Sequence, residues 1–243
     1  AWLTALAHQY DSELTDLSAD WCLFAVQGPE AFARLRDNAA HPPDTLGYYA
    51  FTESEVCGVP AFVARTGYTG EPGCEVAVPV AHAREVWARL TGQLGLHPIG
   101  LAARDTLRLE ACMALYGHEL REEWHPFESG LGWTIDLEQE DDFIGKKALL
   151  AIRGVGYPYR LVGVEVTGRG IPREGYPVLH QGDEVGHVTS GALSPTTGRS
   201  IALARIRAEA AKIGTPLEVS VRDKPVAAEV VRRPFYKNPA LRA

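Results

Sequence analysis

A change of pattern at residues 154–158 constrains this sequence more than any other single feature. The segment, Gly-Val-Gly-Tyr-Pro, concentrates residues that interrupt regular structure. Before it, apolar residues recur at helical spacing in several segments; after it, short β-branched runs alternate with turns containing Gly or Pro. Regular short strands of this kind are typical of a small barrel or sandwich. The pattern therefore predicts an α+β domain over residues 1–153 and a β-rich domain over residues 154–243.

The individual elements follow from the same patterns. In the first domain we predict strands at 22–26, 56–65 and 73–80, and helices at 29–37, 80–94, 101–113 and 146–152. In the second domain we predict strands at 161–166, 184–192, 201–206, 217–221 and 226–231. The chain opens in an amphipathic helix and its only methionine is Met113, so we expect it to be part of a longer protein.

Charge and cysteine content exclude several classes of function. Lys and Arg number 24 against 31 Asp and Glu, a net charge of −7, which disfavours a general nucleic-acid binder. No apolar run is long enough for a membrane span, and the N-terminus lacks the pattern of a secretory signal. The four cysteines form no CxxC pair and have no zinc spacing, so we expect reduced thiols, no metal and a cytoplasmic protein.

The glycine-rich stretch RTGYTGEPGCEV, residues 65–76, is the most informative motif. Its glycines allow a close approach of the backbone to a ligand, and Tyr68, Glu71 and Glu75 add an aromatic ring and two carboxylates. The carboxylates would repel phosphate, whereas a carboxylate can accept two hydrogen bonds from a flat heterocycle such as a pterin. A solvated hairpin with an acidic tip explains the same spacing, so both interpretations stay open.

A second motif, residues 100–120, places two arginines on one face of a helix. Arg104 and Arg108 are four residues apart, and Asp105 is a local partner for Arg108. Ordinary surface ion pairs would explain this spacing. However, the flanking residues are largely apolar, and a buried arginine needs a carboxylate from the protein or from a ligand.

Other segments carry weaker signals. His118 and His125 are candidate bases, although single histidines commonly have structural roles. Residues 187–204 are typical of two strands around a polar turn that could adjoin a ligand. The C-terminal segment is basic and could bind an anionic group or an acidic partner through Arg232, Arg233, Lys237 and Arg242.

Taken in order, these motifs resemble the T-protein (aminomethyltransferase) family of the glycine cleavage system. The resemblance rests on LFAVQGP, RTGYTGEPGCEV, GLAARDTLRLEACMALYGHEL, ESGLGWTIDL, DFIGKKAL and VTSGALSPTTGRSIALA, and covers residues from about 21 to 237. It implies a cloverleaf of three domains around folate, of which this chain would contain the folate-binding α+β region and a small C-terminal β-barrel. It also implies transfer of the methylene carbon from the aminomethyl-lipoyl H protein to tetrahydrofolate, with release of ammonia.

The resemblance also implies roles for particular residues. Glu75 would face the pterin, Arg104 would lie near the folate, and Tyr68 and Trp133 would form walls of the site. Arg242 and Lys237 would bind the glutamyl tail or the H protein. The family's catalytic aspartate falls before Ala1, so we expect the isolated chain to be inactive. Pro72 and Cys74 depart from the residues more usual in the family.

Two alternatives remain open at this stage. The chain could be a non-catalytic folate-binding module, or the folate domain of a sarcosine- or dimethylglycine-oxidising relative. In each case the expected cofactor is tetrahydrofolate without a metal. The lipoylated H protein is the expected partner of an aminomethyltransferase, in the cytoplasm or, in a eukaryote, in the mitochondrial matrix.

Overall fold

The computed structural model describes residues 2–239. They form two compact units, one of residues 2–67 and 71–99, the other of residues 68–70 and 100–239. The division thus follows residue 99, and the domain boundary expected at residue 154 stays a prediction. No helix within the described residues is long and apolar enough to cross a membrane.

The first unit is built on a four-stranded antiparallel sheet of order β1-β4-β3-β2. Its strands are β1 Trp21–Gln27, β2 Phe51–Val56, β3 Val59–Ala64 and β4 Gly73–Pro79. Its helices are α1 Trp2–Ala7, α2 Ala31–Leu35 and α3 Ala83–Ala88, the last continued by a π-helical turn, Arg89–Gln93. Short 3-10 turns occupy Arg36–Asn38, Pro43–Thr45 and Val80–His82.

One face of this sheet forms the core of the first unit. Val63 and Val76 are fully buried and pack in one cluster with Leu35 of α2, Val86 of α3 and Leu90. Alternate residues of the strands point to the opposite face, as the two-residue period of a strand requires. The burial pattern of β3, which alternates between buried and exposed residues, shows this division directly.

The structure corrects one predicted strand. Residues 56–65 form no single strand, because Cys57 and Gly58 make a tight turn between β2 and β3 with φ values of 54° and 71°. Two successive residues with positive φ are typical of hairpin turns, which usually contain Asn-Gly or Asp-Gly. Cysteine at the first position conceals this turn in the sequence.

The second unit contains a closed six-stranded barrel of order β10-β5-β8-β7-β6-β9, which confirms the predicted C-terminal β-barrel. Its strands are β5 Tyr159–Val166, β6 Pro177–His180, β7 Asp183–Leu193, β8 Ser200–Arg207, β9 Pro216–Val221 and β10 Lys224–Val231. Inward-facing residues such as Val164, Val188, Ala204 and Val219 are fully buried. Strand β6 was not predicted, since four residues give too short a pattern to recognise.

Two helices precede the barrel in the second unit. Helix α4 spans Leu101–Glu110, and α5 spans Lys146–Val155, with a 3-10 turn at Gly132–Thr134 between them and another at Ala208–Ala210. Helix α4 ends before the predicted position, and Cys112 beyond it has φ of 58°. Helix α5 continues through Gly154 and ends at Val155, because the next residue, Gly156, has a φ of 84° that is incompatible with a further helical turn.

Candidate functional site

Glu75 lies in the middle of the sheet face that is turned away from the core of the first unit. Across the strands it is flanked by Ala25 of β1 and Ala64 of β3. Along β4, Gly73 and Ala77 share its face, because side chains alternate between the two faces of a strand. The half-buried carboxylate therefore has small residues beside it on this face, while the Gln27 side chain lies over Gly73.

Exposed apolar residues extend the face on which Glu75 lies. Leu23, Phe51 and Phe62 continue the same face and are exposed, and the two phenylalanine rings stack with centroids 4.9 Å apart. Within residues 2–239, the Glu75 carboxylate has no hydrogen-bond or ion-pair partner. Both carboxylate oxygens are thus available to hydrogen-bond donors of a flat ring lying on this face.

The tip of the glycine-rich loop belongs to the second unit. The Tyr68 hydroxyl donates a hydrogen bond to the Ala114 carbonyl over 2.7 Å, and the Arg104 guanidinium lies 4.9 Å above the Tyr68 ring. A side chain at Gly70 would place its Cβ 2.7 Å from that of Ala111. Burial raises the pKa of the Tyr68 hydroxyl, so it remains a neutral donor at physiological pH.

Arg108, and not Arg104, is the buried arginine of α4. Its side chain is 1% exposed and donates to Asp105 over 2.8 Å, to Glu119 over 2.9 Å and to Ser190 over 2.8 Å. The local pairing with Asp105 follows the predicted spacing. The carboxylate that satisfies the buried guanidinium comes from the protein. Arg104 is exposed, and its described contact is with the ring of Tyr68.

A second buried carboxylate ties α4 to the barrel. Glu110 accepts hydrogen bonds from the hydroxyls of Ser194 and Thr196, and from the Thr196 amide over 3.1 Å. The polar turn of residues 187–204 is therefore the β7–β8 hairpin, and these hydroxyls bind a carboxylate of the protein itself. Sequence reasoning missed Glu110 and Glu119, because their partners are not neighbours in the sequence.

The two candidate histidines both have partners in the protein. His118 Nδ1 lies 2.9 Å from the Thr189 carbonyl, and His125 Nε2 lies 3.6 Å from the Glu128 carboxylate. Glu128 is buried and also pairs with Arg205 over 2.7 Å. These contacts favour a structural role for His118 and His125.

The remaining predicted site residues lie in different surroundings. Trp133, in the 3-10 turn Gly132–Thr134, is 76% exposed. Arg232 and Lys237 are exposed, whereas Arg233 is half-buried. Arg242 lies outside the described residues. Within residues 2–239, no three His, Cys, Asp or Glu side chains group in a way that could hold a metal ion.

The fold and these side chains define a class: an antiparallel α+β unit, with a carboxylate on its open sheet face, joined in sequence to a closed barrel unit. Two family descriptions match the chain, "GCVT N-terminal domain" over residues 1–139 and "Glycine cleavage T-protein C-terminal barrel domain" over residues 160–237. The chain belongs to the glycine cleavage T-protein family.

Similar proteins agree with this assignment. The aminomethyltransferases of Synechococcus elongatus and Rubrobacter xylanophilus are each 48% identical to the chain, over 94% and 93% of its length. The crystal structure of glycine cleavage system aminomethyltransferase T from Bartonella henselae aligns with a TM-score of 0.82 at 32% identity, covering 89% of the chain. The chain spans 61%, 60% and 60% of the lengths of these three proteins.

Proposed function

We propose that this chain binds tetrahydrofolate and serves in an aminomethyltransferase of the glycine cleavage system. The reaction would move the methylene carbon from the aminomethyl-lipoyl arm of the H protein to tetrahydrofolate and release ammonia. Family membership supports the reaction class, and the relatives named aminomethyltransferase favour it over a folate domain of a sarcosine- or dimethylglycine-oxidising protein. The single structural observation that supports folate binding is the Glu75 carboxylate on an open sheet face, which has no hydrogen-bond or ion-pair partner within residues 2–239.

The chemistry of the pterin ring matches the surroundings of Glu75. The ring is flat, and its amino group and adjacent ring N–H form a pair of donors that one carboxylate can accept together. Ala25 and Ala64 across the sheet and Ala77 along β4 leave room on three sides of Glu75 for a ring to reach the carboxylate, whereas the Gln27 side chain covers Gly73. A larger side chain at any of these positions would cover it.

From the family motifs, we propose folate-binding roles for Tyr68, Arg104 and Trp133 of the second unit. Tyr68 is fixed by its hydrogen bond to Ala114, and its ring holds the exposed Arg104 guanidinium by a cation–π contact. Trp133 offers an exposed aromatic face, which suits stacking on the aminobenzoyl group of folate. These roles come from the family motifs and are supported by the exposure of both Arg104 and Trp133.

The contribution of the protein to such a transfer is mainly positional. Tetrahydrofolate supplies the nitrogens that receive the carbon, and side chains that hold its ring lower the entropic part of the barrier. A proton donor for the departing ammonia is also required. The resemblance assigns this proton transfer to an aspartate that the motifs quoted above do not contain. We therefore expect the chain to bind the ligand without turnover.

We propose that the lipoylated H protein, the carrier of the aminomethyl group, binds near the C-terminal segment of the chain. The expected carrier is acidic and this chain has a net charge of −7, so association requires a local basic surface. Arg232 and Lys237 are exposed and are candidates for that surface. We further propose a cytoplasmic location, or the mitochondrial matrix in a eukaryote, because the H protein must be present in the same compartment.

Calorimetric titration of the chain with 5-formyltetrahydrofolate tests the folate site. We expect Glu75→Ala to weaken binding by about 1–3 kcal/mol, because the pterin donors lose their acceptor. Glu53→Ala is the matched control, since Glu53 lies on the same face of the same sheet, opposite Phe62. It should leave the affinity unchanged. Equal affinities of the wild type and a folded Glu75→Ala variant would remove Glu75 from the site.

A second assay separates an enzyme from a binding module. The chain is mixed with aminomethylated H protein and tetrahydrofolate, and ammonia release is measured. We expect release only when the family's remaining N-terminal part is supplied in the same protein. Ammonia release by these 243 residues alone would show that the family's catalytic aspartate is dispensable, whereas binding without turnover in the longer protein would favour the module.

A further inference from the structure

Gln27, the last residue of β1, joins the two limbs of the glycine-rich loop. Its side-chain nitrogen donates a hydrogen bond to the Thr66 carbonyl over 3.0 Å and another to the Cys74 carbonyl over 3.1 Å. Thr66 lies on the limb that leaves β3, and Cys74 lies on β4, where the chain returns to the sheet. All three residues belong to the first unit. We refer to this pair of hydrogen bonds as the Gln27 bridge.

Gly67 and Gly73 make room for the Gln27 carboxamide. A Cβ added at Gly67 would lie 2.2 Å from Gln27 Oε1 and 2.7 Å from Gln27 Nε2. A Cβ added at Gly73 would lie 2.5 Å from Gln27 Oε1 and equally close to the carbonyl oxygen of Val26. Neither glycine adopts a left-handed conformation. The close approach of a side chain, and not the path of the backbone, therefore requires glycine at position 67.

The Gln27 bridge acts on the peptide group that leads into Glu75. Gln27 stands opposite Gly73 in the pairing of β1 with β4, and Glu75 follows two residues later on the same face of the sheet. The Cys74 carbonyl that accepts the hydrogen bond directly precedes Glu75. The Cys74 side chain is fully buried in the core on the other face. The backbone before Glu75 is thus held from both sides, and rotation of this peptide group would move the carboxylate.

The carboxamide joins the two limbs without placing a charge next to Glu75. Residues on one face of adjacent strands that are offset by two positions lie about 7–8 Å apart, within reach of long side chains. A lysine or arginine at position 27 could therefore form an ion pair with Glu75 and occupy its carboxylate. A neutral donor holds the loop and leaves that carboxylate available to a ligand.

We propose that Gln27 is a positioning residue for the ligand site of the first unit, because it fixes the end of the strand from which Glu75 reaches the pterin ring. This inference rests on the proposed function. Since Gln27 acts through Glu75, removal of the carboxamide should weaken binding only where the Glu75 carboxylate is present. A merely structural contact would lower the free energy of unfolding and leave the affinity of the folded protein unchanged.

A double-mutant cycle tests this dependence by calorimetry with 5-formyltetrahydrofolate. Gln27→Met keeps the approximate length of the side chain and removes the donor. We expect it to weaken binding about tenfold in the otherwise unchanged chain and less than about twofold in Glu75→Ala, because residues that act together are not additive. Gln93→Met, at an exposed glutamine of the same unit, is the control and should leave the affinity unchanged.

Two results of the cycle would overturn the proposal. Equal losses with and without the Glu75 carboxylate would show that Gln27 contacts the ligand itself or acts independently of Glu75. No loss in either case would leave the Gln27 bridge a purely structural feature.

A second variant keeps the test informative if Gln27→Met fails to fold. Gly67→Ala retains both Gln27 and Glu75, and its methyl group would displace the carboxamide, which is the flexible end of a side chain. We expect the same loss of affinity, again only where the Glu75 carboxylate is present. Gly92→Ala, where an added Cβ would meet no atom within 4 Å, is the matched control and should bind as the wild type does. Wild-type affinity of a folded Gly67→Ala variant would refute the positioning role.

The outcome also separates this inference from the function on which it rests. If the wild-type chain does not bind 5-formyltetrahydrofolate, the proposed function fails and the role of Gln27 fails with it. If Glu75→Ala weakens binding while Gln27→Met and Gly67→Ala do not, folate binding stands and only the positioning role is wrong.

Discussion

The buried charged residues in and after α4 differ from Glu75 on the open sheet face in one respect, their partners. Arg108, Glu110 and Glu119 are buried, and each is hydrogen-bonded to other groups of the second unit. Glu75 is only half-buried and has no hydrogen-bond or ion-pair partner within residues 2–239. The difference indicates that the first group maintains the fold, whereas Glu75 is available to a ligand.

The same comparison explains why the more deeply buried arginine is the weaker candidate for ligand binding. Arg108 joins α4 to Glu119 and to Ser190 of β7, so its donors are already in use. Removing one partner of a buried ion pair leaves the other charge unpaired and desolvated. Mutation of a buried and paired charge such as Arg108 is therefore expected to lower the stability of the unit.

The largest expected effect is that of Arg108→Met on stability. We expect the free energy of unfolding to fall by about 3–5 kcal/mol, because Glu119 would remain buried without its counterion. Urea denaturation measures this loss. Arg104→Met serves as the control and should cost no more than about 1 kcal/mol, the value of an exposed cation–π contact. A cost below that of the control would refute the structural role of Arg108.

The two faces of the sheet in the first unit should respond differently to substitution. Val63→Ala removes buried side-chain volume from the core face and should cost about 1–3 kcal/mol of stability. Leu23→Thr on the open face should change the stability by less than about 0.5 kcal/mol, because Leu23 is 61% exposed. Equal costs in urea denaturation would show that the open face is also packed.

The smallest expected effect is a difference in reactivity between two thiols of the sheet, Cys22 and Cys74. Burial raises the pKa of the Cys74 thiol to about 12, so the thiol is neutral at pH 8 and is also inaccessible. Cys22 on β1 is partly exposed. With iodoacetamide at pH 8, mass spectrometry should detect modification of Cys22 well before Cys74. Earlier modification of Cys74 would mean that this strand opens readily.

The sequence predicted the parts of the structure that depend on local pattern. The barrel strands follow from short β-branched runs, and the Asp105–Arg108 pair from a spacing of three residues on a helix. Contacts between distant segments could not be predicted in this way. Ser190 and Ser194 are 82 and 84 residues from Arg108 and Glu110, and no helical or strand period connects them.

The candidate site was predictable to a similar extent. The motif indicated a carboxylate near a ligand, but it did not reveal that Ala25 and Ala64 flank Glu75, because that arrangement depends on strand register. Arg233, which has no hydrogen-bond or ion-pair partner within residues 2–239, could not be distinguished from Arg232 by sequence. Only burial separates the two side chains.

The most direct test of the central claim is thermal unfolding of the wild type and Glu75→Ala, with and without 5-formyltetrahydrofolate. At a ligand concentration one hundred times the wild-type Kd, the wild type should gain about 2.7 kcal/mol of stability. We predict that Glu75→Ala keeps the stability of the free protein within about 0.5 kcal/mol and gains only about 0.3–1.8 kcal/mol from the ligand, the range that corresponds to a loss of about 1–3 kcal/mol in binding. A variant that loses stability without ligand and retains the full gain would contradict the assignment of Glu75 to ligand binding.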